Sequence, residues 1–281
     1  MAESREYCAE LSAANNEPMA GTAPQVDVWL LLEYAPTWKA KAIQDNALAA
    51  ATTAWIGDME RRVHDAGLKP RVQFIRRPEL DHPETTLFIA RDQQLYRAQA
   101  TGYDALRDID PLETNLEAVN EPTYFVCTNG QRDLCCARFG RQAYVALRER
   151  VGGRVWQTTH VGGHRYAPNV LVLPQAALYG RIFSDTVDEF LSATEHNRLA
   201  PSFLRGRSAY PDTAQAAESA LLHPGKLVEI NDAQVVFDGG PTGRQCVRVT
   251  RQTSSTQMIP SCGVVEPKSI HHFEITLEAG H

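Results

Sequence analysis

The sequence lacks any hydrophobic run long enough to cross a membrane. Its longest apolar segments, residues 28–32 and 170–173, have the length of strands, whereas a membrane-spanning helix needs about 20 apolar residues. The first 21 residues also contain no continuous apolar segment of the kind that a secretory signal requires. We therefore expect a cytoplasmic protein with no membrane partner.

Cysteine and positive charge are both in short supply. Six cysteines in 281 residues are too few for a disulfide scaffold. The 28 Lys and Arg residues against 34 Asp and Glu residues give a net charge of −6, which argues against a broad surface for nucleic acid. Apolar residues make up 43% of the chain, which excludes a disordered protein and predicts a globular core.

The order of apolar segments predicts two similar units and a C-terminal extension. Residues 1–23 are polar and are expected to form a loose N-terminal arm. Residues 24–112 follow a β-α-β-β pattern, with a helix predicted over residues 43–67 because apolar side chains recur there every three to four positions. Residues 113–200 repeat this order, and residues 201–281 carry a helix and antiparallel strands. We therefore predict an α/β (α+β) fold.

The predicted strands are short and either continuously apolar or alternating in polarity. They cover residues 26–34, 71–77, 85–91, 123–127, 154–159, 169–173, 226–237, 244–251 and 270–277, with 178–181 as a possible further strand. The other predicted helices cover residues 137–150, 185–198 and 214–222.

Two short segments carry the candidate chemistry. The first runs from Cys127, at the end of a predicted strand, to the adjacent pair Cys135 and Cys136 at the start of a predicted helix. The amide N–H groups at a helix start stabilise a thiolate, which is the form of cysteine that binds metals. The second segment runs from His160 to His164, and its two glycines allow a tight turn that brings both imidazoles to one centre.

Two cysteines and two histidines make a four-ligand set for zinc or for an iron–sulfur cluster. Zinc fingers normally have two to four residues between paired cysteines, whereas Cys127 and Cys136 have eight between them. The longer loop favours a [2Fe–2S] cluster in which histidines replace cysteines on one iron, as in Rieske centres. Rieske motifs interleave Cys and His in each loop, and this chain separates them.

The two segments resemble those of the sucrase/ferredoxin-like family, which is related to thioredoxin-like [2Fe–2S] ferredoxins. The resemblance covers most of the chain and implies a thioredoxin-like fold. On this basis, residues 24–112 and 113–200 are two tandem thioredoxin-like units, and the second of them holds the cluster. The segments that carry the resemblance are FVCTNGQRDLCCARFG (125–140), THVGGHRYAPNVLVLP (159–174), YGR (179–181) and WLLLEYAPTW (29–38).

The family pattern implies that Cys127, Cys136, His160 and His164 bind a [2Fe–2S] cluster as cofactor. The family spacing from Cys127 favours Cys136, with Cys135 as the rival ligand. Two neutral imidazoles in place of thiolates are expected to raise the reduction potential above that of an all-cysteine ferredoxin. The resemblance therefore implies an electron carrier with redox partner proteins. No paired-carboxylate site indicates sugar hydrolysis, so we do not expect a sucrase.

Two other functions stay open at this point. A thioredoxin-like fold with a cysteine at a helix start also suits a thiol–disulfide oxidoreductase, although the chain has no C-x-x-C motif. A zinc-stabilised structural or interaction module would use a metal without redox chemistry. Cys8, Cys246 and Cys262 lie outside the motif; we interpret Cys246 as a core residue and Cys262 as structural.

Polar residues beside the ligands have further possible roles. Arg132 and Arg165 are interpreted either as docking groups for an acidic partner or as ordinary paired arginines. Asp133 is interpreted as a residue that fixes its loop by bonding the backbone. Thr158 or Thr159 is a candidate hydrogen-bond donor to the cluster.

Overall fold

In the described part of the chain, two β-sheets form together with five α-helices. The computed structural model describes residues 7–79, 83–113, 115–221, 223–232, 234–264 and 266–278. In chain order, the elements of the first half are α1 (Cys8–Ala14), β1 (Val28–Glu33), α2 (Ala50–Asp65), β2 (Pro70–Arg76), β3 (Glu84–Arg91), β4 (Gln94–Thr101) and β5 (Glu117–Ala118). Those that follow are β6 (Thr123–Cys127), α3 (Leu134–Val151), β7 (Val155–Thr158), β8 (Val170–Leu173), β9 (Ala177–Tyr179), α4 (Val187–Thr194), β10 (Leu204–Arg207), α5 (Asp212–Ser219), β11 (Lys226–Ile230), β12 (Gln234–Gly240), β13 (Gly243–Met258) and β14 (Lys268–Glu278). None of the described helices is long and apolar enough to span a bilayer.

The larger sheet repeats one strand order in its two halves. β1 pairs in parallel with β2 and antiparallel with β3, and β3 pairs with β4. In the second half, β6 pairs in parallel with β7 and antiparallel with β8, and β8 pairs with β9. An antiparallel contact between β2 and β7 joins the halves. The predicted α+β fold is confirmed, and the β-α-β-β order occurs in both halves. The tandem thioredoxin-like description stays a prediction.

The strands that lead to the two chemistry-bearing segments are fully buried. Every residue of β6 and β7 is buried, and α3 covers one face of β6 with Ala143 and Leu147. Cys127 at the end of β6 lies in register with Thr158 at the end of β7. Because these strands are parallel, the loops that follow them leave the same edge of the sheet. The cysteine and histidine segments are therefore neighbours.

The smaller sheet, β11 to β14, is antiparallel throughout and makes up most of the C-terminal extension. The single strand predicted over residues 226–237 is wrong, because a turn divides it into β11 and β12. Asn231 lies at this turn, where its side-chain oxygen accepts the Gln234 N–H at 3.0 Å. Residue 233 lies outside the described residues, as does residue 222 at the end of the predicted helix over residues 214–222.

Three strands of the large sheet, β4, β5 and β10, were not predicted. In β4, one of eight residues is buried, four are half-buried and three are exposed, and the strand pairs with β3 through a short hairpin. β10 contains two arginines and reads as a surface segment, yet three of its four residues are buried. β10 pairs with β9, so this part of the predicted extension over residues 201–281 belongs to the large sheet.

The N-terminal arm is packed, not loose, over the residues that the structure describes. Helix α1 buries Cys8, Ala9 and Ser12. Arg181 donates to the carbonyl oxygens of Ser12 at 3.0 Å and Glu17 at 2.8 Å, which fixes the arm to the chain after β9. The expectation of a loose arm is wrong because its small and polar side chains find buried partners distant in sequence. Residues 1–6 lie outside the described residues.

A fully buried arginine in β10 fixes the loop after β7. Arg205 is 1% exposed and donates to Gly162 O at 2.9 Å, Asn169 Oδ1 at 2.8 Å and Thr22 O at 2.6 Å. Gly163 has a φ of 68°, and a Cβ there would lie 2.4 Å from the guanidinium. Burial lowers the pKa of Arg205 to about 10, so it is still charged at neutral pH. The glycines thus let a buried cation hold the turn.

We expect Arg205→Met to lower the free energy of unfolding by about 3 kcal/mol or more, because the buried Asn169 and two half-buried carbonyl groups would lose their donor. Urea denaturation of the full chain measures this change. Arg61→Met is the control: Arg61 is 64% exposed and pairs with Asp58 on the surface of α2, so its removal should cost no more than about 0.5 kcal/mol. Equal effects of the two substitutions would contradict the positioning role of Arg205.

Helix α3 approaches strand β6 so closely that only glycine fits at one position. A Cβ on Gly140 would lie 2.1 Å from the carbonyl oxygen of Cys127, whereas a Cβ on Gly57 of α2 meets no atom within 4 Å. We therefore expect Gly140→Ala to destabilise the protein by about 1–3 kcal/mol through overpacking. Gly57→Ala should instead stabilise it by about 0.5–1 kcal/mol through helix propensity. Thermal or urea unfolding of both variants tests this, and stabilisation by both would contradict the close approach.

Candidate metal centre

The loop between β6 and α3 is held by an aspartate at the helix start. Asp133 is the N-cap residue of α3, and its Oδ1 accepts the Cys135 N–H at 2.9 Å. The backbone N–H groups of Arg132 and Asp133 both donate to Asn129 O, which closes the preceding turn. Aspartate is a preferred N-cap because its oxygen satisfies an amide that lacks a helical partner. The interpretation of Asp133 as the residue that fixes this loop is confirmed.

Cys127, Cys136 and His160 converge on one point, which we call the histidine site. Nδ1 of His160 lies 3.9 Å from Cys127 Sγ and 3.8 Å from Cys136 Sγ, and the three donor atoms lie within 4.8 Å of one another. The two thiols are buried and His160 is half-buried. Donor atoms at these separations surround a point from which metal bonds of about 2.0–2.3 Å can reach each of them.

The two thiols of the histidine site hold their protons unequally. A hydrogen bond from Cys136 keeps the pKa of Cys127 well below its usual range, and His160 acts in the same direction against the effect of burial. The same hydrogen bond, together with burial, raises the pKa of Cys136. Cys127 is thus the more acidic of the two thiols. A buried thiolate beside an imidazole is a suitable donor set for a soft or borderline metal.

His164 lies beside this group, with its ring centroid 5.3 Å from that of His160. Its Nε2 lies 2.7 Å from Pro260 O and 3.8 Å from Asp133 Oδ2. Its Nδ1 is buried and has no hydrogen-bond partner. Burial lowers the pKa of His164, so the ring is neutral at neutral pH. Its unpartnered Nδ1 can therefore act as a metal ligand.

The adjacent pair of cysteines separates into two environments. Cys136 faces His160, whereas Cys135 Sγ lies 3.5 Å from Cys8 Sγ and 3.2 Å from Cys262 Sγ. We call Cys8, Cys135 and Cys262 the three-cysteine cluster. The cluster is not predictable from sequence motifs, because Cys135 is separated by 127 residues from Cys8 and by 127 residues from Cys262.

The contacts of the polar residues beside the ligands agree with some of their predicted roles and not with others. Arg165 donates to the buried Glu17 at 2.6 Å, which matches its interpretation as an ordinary paired arginine. The hydroxyls of Thr158 and Thr159 donate to β2, so neither is free to donate to a cluster in this arrangement. Arg132 is exposed.

An open cleft of about 630 Å³ lies directly beside His160. Its lining includes the cationic side chains of Lys41, Arg71 and Arg132 and the acidic side chain of Glu60. Arg71 donates to His160 O at 2.9 Å and so ties the cleft wall to the histidine site. The cleft therefore presents an excess of positive charge next to the half-buried imidazole.

Comparison with known proteins gives a family and a relative that aligns over a short segment. The model of sucrase/ferredoxin-like proteins matches residues 19–206. The chain is also similar to "Altered inheritance of mitochondria protein 32" of Meyerozyma guilliermondii, with 30% identity over 93 residues that cover 30% of this chain and 33% of that protein. The chain thus spans about a third of that relative. No solved structure matches. Because the family match covers more than half of its residues, the chain belongs to the sucrase/ferredoxin-like family.

Proposed function

We propose that this protein binds a [2Fe–2S] cluster at the histidine site and carries single electrons. The observation that carries the proposal is the convergence of Cys127 Sγ, Cys136 Sγ and His160 Nδ1 within 4.8 Å of one another, with His164 beside them. Membership of a sucrase/ferredoxin-like family supports the same function. When bound, such a cluster supplies a one-electron redox couple.

The donor set fits the cluster at its fourth position as well. His164 Nδ1 is a buried nitrogen without a partner, and such atoms are rare unless a ligand satisfies them. Its other nitrogen, Nε2, lies within hydrogen-bond distance of Pro260 O, the arrangement in which metal-binding histidines donate their second N–H to a carbonyl. Cys127, Cys136, His160 and His164 would then hold the cluster.

The ligand set favours a potential above that of all-cysteine ferredoxins. Each neutral imidazole that replaces a thiolate removes one negative charge, which makes electron uptake easier. The backbone turn that carries both histidines is held by the charged Arg205, and this fixed positive charge acts in the same direction. The protein's own residues thus set the charge around the bound group.

The histidine side of the site is the side nearest to solvent. Cys127 and Cys136 are buried, whereas His160 and His164 are half-buried. His160 borders the cleft that carries Lys41, Arg71 and Arg132. The imidazoles would therefore form the side of the site that faces a redox partner, and the charge of the cleft suits a partner with an acidic surface.

A thiol–disulfide oxidoreductase is the second candidate function. The lowered pKa of Cys127, caused chiefly by its hydrogen bond from Cys136, is the observation that favours it. Against it, both thiols are about 1% exposed or less, and exchange requires access of a disulfide to the attacking sulfur. A zinc-stabilised module is the third candidate, since the same donors suit zinc.

We expect protein purified without oxygen to be red-brown, with about two irons and two sulfides per chain. Dithionite should bleach the visible absorption. Cys127→Ser should remove the colour, while Cys246→Ser should keep it, because Cys246 lies on β13 opposite Val236. A colourless protein that reduces insulin disulfides would support the oxidoreductase instead, and zinc at Cys127 with no iron or sulfide would support the module.

We expect His164→Cys to lower the reduction potential by on the order of 100 mV, because a thiolate would add negative charge to the bound cluster. Potentiometric titration of the visible spectrum measures the change. His196→Cys is the matched control, since His196 is exposed and bonds to Ser192 O in its own helix region. An unchanged potential in His164→Cys, with the cluster still bound, would remove His164 from the ligand set.

A further inference from the structure

We propose that the three-cysteine cluster, together with the carboxylate of Asp133, is a second metal site that binds one Zn²⁺ ion. Its donors come from α1, from the start of α3 and from the loop between β13 and β14. Cys8 and Cys262 both lie outside residues 19–206, the part of the chain that the family model matches. The proposal is independent of the cluster proposed for the histidine site.

The three sulfur atoms form a nearly equilateral triangle. The Sγ–Sγ distances are 3.5 Å between Cys8 and Cys135, 3.2 Å between Cys135 and Cys262, and 3.6 Å between Cys262 and Cys8. Zn–S bonds of about 2.3 Å at tetrahedral angles place sulfurs about 3.8 Å apart. A small outward movement of each thiol therefore makes room for the ion.

Asp133 supplies the fourth donor. A carboxylate oxygen of Asp133 lies within 4.8 Å of all three sulfurs. Its Oδ1 accepts the Cys135 N–H at 2.9 Å and its Oδ2 accepts the Cys262 N–H at 3.1 Å. A carboxylate has about four acceptor positions, so an oxygen can bind the metal while these N–H groups hold it in place. Hydrogen bonds of this kind orient the ligands of natural metal sites.

The surroundings are those of a closed, structural site. Cys8, Cys135 and Asp133 are all less than 5% exposed, and Cys262 is half-buried. Ala9, Phe139 and Ala167 pack around the cluster. Four protein donors leave no open position for substrate, which is the arrangement of structural zinc. Binding of Zn²⁺ would release the three thiol protons to water and would change no oxidation state.

Zinc explains the arrangement better than a disulfide does. A disulfide would join two sulfurs and leave the third unused, whereas the three sulfurs here are nearly equidistant. A disulfide would also leave unexplained why an oxygen of Asp133 lies within 4.8 Å of all three sulfurs.

The test measures zinc by mass spectrometry in the full chain after expression with added Zn²⁺. Wild-type protein is expected to hold about one zinc per chain. Cys8→Ser and Cys262→Ser should lose it and keep the iron and visible spectrum, whereas Cys127→Ser should keep the zinc and lose the iron. The control Cys246→Ser should keep both. Zinc retained by Cys8→Ser and Cys262→Ser, or no zinc in the wild type, would overturn the proposal.

A second measurement needs no substitution, so it does not depend on whether a variant folds. Metal-free protein is alkylated with iodoacetamide in the presence or absence of Zn²⁺. Mass spectrometry of the peptides then shows which cysteines are labelled. Zn²⁺ should protect Cys8, Cys135 and Cys262 and leave Cys246 equally labelled in both samples. Protection confined to Cys127 and Cys136, or a disulfide between any two cluster cysteines in freshly isolated protein, would overturn the second site.

Discussion

The rest of the site depends on the hydrogen bonds that the side chain of Asp133 accepts. Its two oxygens accept N–H groups from the start of α3 and from the loop after β13, and Oδ2 also lies 3.8 Å from His164 Nε2. One buried carboxylate therefore caps helix α3, binds the loop between β13 and β14, and lies close to His164. A buried carboxylate is stable only when its oxygens are hydrogen-bonded or paired with charge. The three segments therefore stabilise Asp133, and Asp133 in turn fixes their positions.

This arrangement gives two neighbouring cysteines different chemistry. Cys136 turns toward His160 and belongs to the donors proposed for the iron–sulfur cluster, whereas Cys135 turns toward Cys8 and Cys262. Side chains of adjacent residues on a helix point about 100° apart, so two adjacent cysteines in the first turn can contact different groups. The two proposed centres thus share a helix start without sharing a ligand.

How much of this the sequence revealed depends on how local each signal is. The elements around Cys127 and the turn through Gly162 were predictable, because apolar strands, a helix start and paired glycines are patterns of adjacent residues. β10 was not, since Arg205 reads as a surface residue and its burial depends on acceptors contributed by distant loops. The contact of Cys8 and Cys262 with Cys135 was not predictable for a related reason: no short motif connects residues that meet only after the whole sheet has formed.

The meeting of Cys8, Cys135 and Cys262 also has a topological consequence. The contacts close two loops of 127 residues each, so nearly the whole chain lies inside them. Fraying of helix α1, or detachment of the loop after β13, would disturb the carboxylate that caps α3 and with it the position of Cys136. Local opening at either end of the chain is therefore coupled to the redox centre proposed in its middle, although neither end contributes a ligand to that centre.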